Sequence, residues 1–137
     1  MKRVTGIGGI FFKCDDPDKM KAWYTQHLGI QTDEYGGVFR WRSSEQADKT
    51  CYTAWSPFSR ESKYFEPSKK EFMFNYRVAD LEGLLEILKQ EGVTVVGEIE
   101  SYSYGKFGWI LDPEGNKIEL WEPVDEGFGY DENYGTA

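Results

Sequence analysis

Phe107 to Pro123 reads FGWILDPEGNKIELWEP, and this stretch decides the fold. Two short runs rich in aromatic and branched residues flank Asp112-Pro113-Glu114-Gly115-Asn116, where Pro presets one turn dihedral and Gly or Asn can take positive φ. The pattern predicts a β-hairpin. Along its second strand Lys117, Glu119 and Trp121 alternate with Ile118 and Leu120, so Glu119 points away from the apolar face.

An upstream stretch resembles this one. Phe39-Arg40-Trp41 stands before Thr53-Ala54-Trp55-Ser56-Pro57 as Phe107-Gly108-Trp109 stands before Glu119-Leu120-Trp121-Glu122-Pro123. Asp16 likewise matches Asp80, and Leu28-Gly29-Ile30 matches Glu91-Gly92-Val93. Four pairings in one order mark a supersecondary unit used twice.

The chain has 137 residues, one domain's worth, with 39% hydrophobic and 17% aromatic content, enough for a core. A net charge of -8 repels phosphate backbones and anionic lipid, which argues against nucleic acid and membrane as partners. Met1-Lys2-Arg3 leads into a short glycine-interrupted run, and no apolar stretch is long enough to span a bilayer, so a cytoplasmic protein is expected. Cys14 and Cys51 lack metal or redox spacing and read as buried thiols. His27 is the only histidine, which excludes a histidine-pair metal motif.

In order, Ile7 to Cys14 predicts a strand. Asp16 caps a helix with Pro17 at its first position, and Met20, Trp23, Tyr24, His27 and Leu28 make its apolar stripe, closed by Gly29. His27 reads as a partly buried neighbour of that stripe. A short strand over 31–35 turns at Gly36-Gly37 into Val38 to Arg42, then comes the strand Thr50 to Pro57. Either Phe39 and Trp41 or Arg40 and Arg42 face the side that Thr53 faces, depending on register. The linker 58–70 is polar and charged and reads as exposed. Glu71 to Val78 is the next strand, and Asp80 caps a helix with Leu81, Leu84, Leu85 and Leu88 at i, i+3, i+4 and i+7, ended by Gly92. Strands over Val93 to Val96 and Ser103 to Leu111 precede the closing strand. The tail 124–137 is acidic and glycine-rich, and its Phe128, Tyr130 and Tyr134 are candidates to cover a pocket.

The fold class is therefore α+β: two tandem β-α-β-β-β modules, about 5–57 and 71–123, giving eight strands and two helices in a curved mixed sheet around a central pocket. Opposite the helices should lie Gly9, Phe11 and Lys13; Cys51, Thr53 and Trp55; Met73, Asn75 and Arg77; and Lys117, Glu119 and Trp121. Aromatic walls with a few polar groups suit a small-molecule site.

The duplication, the helix opening DPDKMKAWY with LGI at its end, and DPEGNKIELWEP resemble the vicinal oxygen chelate superfamily: glyoxalase I, bleomycin-resistance proteins and extradiol dioxygenases. The resemblance covers Ile7 to Pro123. It implies a glyoxalase-like fold, a homodimer, and, in the metal-using members, a divalent ion held at positions matching Gly9, Thr53, Met73 and Glu119. Only Glu119 has a ligand-grade side chain there, so no metal or other cofactor is expected. The first functional expectation is a metal-independent protein that sequesters a small cationic or aromatic molecule, with Phe11, Trp41, Thr53, Trp55, Met73, Asn75, Trp109 and Trp121 around it, Lys13 and Arg77 nearby, and Glu119 neutralising the ligand. The second is a lyase or isomerase of glyoxalase-like class with Glu119 as general base and Arg77 or Lys13 stabilising an enolate. A plainer role for Glu119 is a buried carboxylate paired with Arg77.

Overall fold

The computed structural model describes residues 2–127. Seven strands form one sheet: β1 (Val4–Cys14), β2 (Gly37–Arg42), β3 (Thr50–Ser59), β4 (Phe72–Val78), β5 (Val95–Tyr102), β6 (Gly105–Leu111) and β7 (Lys117–Pro123), with helices α1 (Pro17–Leu28) and α2 (Leu81–Gln90). The spatial order is β2-β3-β1-β4-β7-β6-β5. In the first half β1 runs parallel to β3 and β3 antiparallel to β2; in the second β4 runs parallel to β7 and β7 antiparallel to β6. The halves meet where β1 pairs antiparallel with β4, which makes one continuous mixed sheet.

Local chemistry sets the boundaries. Asp16 accepts from the Lys19 amide at 3.1 Å and Asp80 from the Gly83 amide at 3.1 Å, each satisfying an orphan donor of the first helical turn. Gly29, at φ 71, closes α1 in the left-handed region that glycine tolerates best. In the β6–β7 turn the Asp112 carboxylate accepts from the amides of Glu114 and Asn116 and from Asn116 Nδ2, all at 2.9 Å. Those bonds, the Asn116 side chain foremost, hold the Asp112 pKa below its usual value.

Three expectations change. Eight strands become seven, because 31–35 forms only a single bridge, Thr32 to Gly37. Asp33 accounts for this: its Oδ1 accepts from the amides of Tyr35 and Gly36 and folds the segment into a turn. The strand expected over Val93 to Val96 instead runs from Val95 to Tyr102, with a bulge between Val96 and Glu100; Glu98, Glu100 and Ser101 are tolerated because β5 is an edge strand exposed from Gly97 onward. The linker is not wholly exposed: Phe65 and Ser68 are buried. Of the tail, Asp125 is buried and paired with Arg77, while Phe128, Tyr130 and Tyr134 lie outside the described residues.

One core cluster holds Val78, Leu81, Leu84, Leu85 and Leu120 beneath α2. A second, on the other side of the sheet, packs Phe11, Phe65, Met73 and Trp109. Helix α1 buries none of its residues: Tyr24 packs on Trp55 with ring centroids 4.8 Å apart, Trp23 is 51% exposed, and His27 is exposed beside Trp23. The expected apolar stripe of α1 is thus only partly covered. Among the described residues no helix is long and apolar enough to cross a membrane.

Candidate functional site

Register places the site. Parallel pairing sets Asn75 beside Glu119, and antiparallel pairing across the seam sets Gly9 beside Asn75, with Ala54 beyond Gly9 on β3. Ala54, Asn75 and Glu119 of this row line a cavity of about 1000 Å³, together with Gly8, Phe11, Ser56, Phe58, Tyr64, Tyr104, Phe107 and Trp121 and with Asp33, Glu34 and Tyr35. Two stacked ring pairs form walls: Phe58 with Tyr64, centroids 5.8 Å apart, and Phe107 with Trp121, also 5.8 Å.

Glu119 is 3% exposed. Its Oε1 accepts from Asn75 Nδ2 at 2.6 Å, and its Oε2 accepts from Trp109 Nε1 at 2.9 Å and from the Tyr64 hydroxyl. Three donors converge on the two oxygens, the arrangement an ionised carboxylate requires. Burial raises the Glu119 pKa, opposed by those hydrogen bonds and by the charge of Lys117. Burial, and then the Glu119 charge, push the Tyr64 hydroxyl far above its ordinary value, so it remains a donor. Lys117 places its ammonium 5.2 Å from the Tyr64 ring centroid and 5.4 Å from that of Trp109, and donates to the Tyr64 carbonyl at 2.7 Å; burial lowers its pKa.

Of the residues singled out from sequence, Phe11, Asn75, Glu119 and Trp121 line the cavity. Trp109 and Met73 lie buried in the wall cluster, where Trp109 reaches Glu119. The others sit elsewhere. Trp55 packs between Phe12 and Tyr24 on the α1 side. Thr53 donates to the Ile7 carbonyl and accepts from Trp41 Nε1 at 2.8 Å, and Phe39 pairs opposite Thr53, which settles the β2 register without bringing either ring to the cavity lining. Arg77 is not the partner of Glu119: its guanidinium donates to Asp125 at 2.9 and 2.7 Å and to the Tyr52 carbonyl at 3.2 Å, between the rings of Trp41 and Trp121. Lys13 holds its ammonium 5.5 Å from the Phe65 ring centroid. Neither cation is among the residues lining the cavity.

The displacement of Thr53 and Trp55 has one cause. Matching Thr53-Ala54-Trp55 to Glu119-Leu120-Trp121 on their shared tryptophan slips β3 by three residues, and an odd slip inverts the face. The pairing Phe11 to Ser56 in one half repeats as Asn75 to Glu119 in the other, so Ser56 occupies the place of Glu119. Tyr64 escapes a reading of the sequence because it sits in a polar linker; the Tyr64-Phe65 pair amid Ser, Lys and Glu is its only signal.

A metal does not fit here. Ala54 and Gly9 offer no side-chain donor in the row, Met73 is buried among Phe11, Phe65 and Trp109, and both Glu119 oxygens already accept from protein donors. Among the described residues no three His, Cys, Asp or Glu side chains gather as a metal site.

A family model described as Glyoxalase/Bleomycin resistance protein/Dioxygenase superfamily matches residues 6–120. A comparison with curated protein sequences finds no match. Among solved structures the chain is similar to methylmalonyl-CoA epimerase from Mycobacterium tuberculosis, at 22% identity and TM-score 0.59, covering 92% of this chain and 93% of that one. A Streptomyces coelicolor methylmalonyl-CoA epimerase variant in complex with 2-nitronate-propionyl-CoA aligns at 18% identity and TM-score 0.61, over 88% and 99% of the two chains. The Mn(II)-bound glyoxalase from Novosphingobium aromaticivorans aligns at 15% and 0.59, over 89% and 40%. At these identities the likeness is one of fold.

Proposed function

From the Glyoxalase/Bleomycin resistance protein/Dioxygenase superfamily, to which this chain belongs, we propose a metal-independent binding protein that sequesters a small organic cation with an aromatic or apolar body. One observation carries this reading: the residues lining the cavity, among the described residues, include Asp33, Glu34 and Glu119 and neither Lys nor Arg. A buried carboxylate ringed by neutral donors is costly, and a cation inside the cavity offsets that cost. The stacked rings supply a flat apolar surface and cation–π attraction. A coenzyme A ester, by contrast, brings several phosphate charges to a wall with no basic residue.

Calorimetry with organic amines of graded size and with the matching carboxylic acids tests this. Amines are expected to bind saturably and acids not at all; acids binding as well as amines would sink the reading. Glu119→Gln is expected to weaken amine binding about 100-fold, the effect of removing one partner of a buried charge pair.

The raised Glu119 pKa favours one second reading, proton abstraction from a carbon acid with Glu119 as general base. Turnover of a hemithioacetal or an α-acidic thioester, lost in Glu119→Gln, would establish it. As to assembly, we propose a homodimer. Ile7, Ile10, Phe72 and Phe74 are exposed, and β1–β4 register sets Ile10 opposite Phe74 and Phe72 beside it, an apolar patch that a second copy would cover. Sedimentation should give twice the chain mass, and Phe74→Lys should return it to one.

A further inference from the structure

Tyr64 and Glu119 line the cavity side by side. The Tyr64 hydroxyl hydrogen is committed to Glu119 Oε2, so its phenol oxygen, on a residue of the cavity wall, can only accept, with the Trp109 N–H beside it and a carboxylate behind it. Asn75 is constrained in the same sense. A carboxylate only accepts, so the amide turns Nδ2 toward Glu119 Oε1 and leaves Oδ1 on the other side, buried and without a donor. Oδ1 lies over Gly8, also in the cavity wall, so close that a Cβ at residue 8 would be 2.1 Å from it. Asn75 is 2% exposed and its Oδ1 is enclosed by protein, so this amide holds Glu119 in place and leaves the cavity-facing acceptor to Tyr64.

Resting on the cation reading above, we propose that this floor is a subsite for a cation bearing N–H groups, an ammonium or amidinium, and that Tyr64 is its specificity-determining residue. The ligand donates to the Tyr64 oxygen, which transmits the Glu119 charge. A fully alkylated ammonium matches the charge and the aromatic walls but gives the Tyr64 oxygen no donor. Discrimination against it therefore comes from hydrogen bonding and not from charge.

The test is titration calorimetry of the full chain with phenethylamine and with its N,N,N-trimethyl counterpart. The wild-type protein is expected to prefer the primary amine by about tenfold or more, the worth of a hydrogen bond to a charged group. In Tyr64→Phe the preference should fall toward unity through loss of primary-amine affinity, with the trimethyl compound little changed. Equal wild-type affinity for the two cations overturns the subsite and leaves the cation reading standing, as does an equal loss for both in Tyr64→Phe. If neither cation binds the wild-type protein, both fall. Should Tyr64→Phe fail to fold, the wild-type ratio still decides.

Discussion

The two halves share a frame and differ in what they put into it. Helix α2 buries Leu81, Leu84 and Leu85, whereas α1 buries nothing. Where the second half sets Asn75 beside Glu119, the first sets Phe11 beside Ser56. The second half holds Arg77 in a buried ion pair, and Lys13, one position before Cys14 at the end of β1, rests against a ring. A duplicated backbone thus supplies the concavity, and its chemistry is lodged in one copy.

The largest effect that would sharpen this contrast is at Arg77. Its replacement by Ala leaves the buried Asp125 only the distant Lys49 ammonium, 3.9 Å away, and should cost about 3 kcal/mol in urea unfolding, whereas Lys13→Ala should cost about 0.5 kcal/mol. Comparable losses would break the asymmetry. Next come the helices: Leu84→Ala is expected to cost about 2–5 kcal/mol, while Trp23→Ala, on a half-exposed ring, should cost about 1 kcal/mol.

A smaller effect should appear in pH dependence. The folded state raises the Glu119 pKa above its unfolded value, so the folded form binds the extra proton and its contribution to stability is full below the unfolded value. That contribution is lost as pH rises from the ordinary carboxylate value through the raised one, at about 1.4 kcal/mol for each pH unit between the two. Groups facing Glu119 are Tyr64 from the linker and Lys117 from its own strand, with Glu100 of β5 acting at longer range on both. Glu119→Gln should flatten this segment of the stability profile, and Ser56→Ala should leave it unaltered. Cation binding has the opposite sign and should weaken as pH falls through the same range. Identical profiles for the wild type and Glu119→Gln would place the titration elsewhere.

Much of this was legible because its causes are local. The Asp112 to Asn116 turn, the caps at Asp16 and Asp80 and the leucine stripe of α2 depend on neighbours within four residues or on one helical period, and alternation along 117–121 was enough to turn Glu119 inward. What escaped depends on distant partners. The face of β3 is fixed by its pairing with β1 beyond the bulge between Ile7 and Gly9, which no spacing in 50–57 reveals. Tyr64 belongs to the site because the linker folds back over β7, and β5 extends through polar residues because edge strands accept them.

The Arg77–Asp125 pair also bears on how the molecule is completed during synthesis. The central strand β4 carries its guanidinium into a slot between two indoles near the middle of the chain, yet the counter-charge arrives 48 positions later, beyond the last strand. A nascent chain halted before that aspartate would have every strand of the sheet and one stranded charge inside it, and would be a ready target for the proteases that police incomplete products.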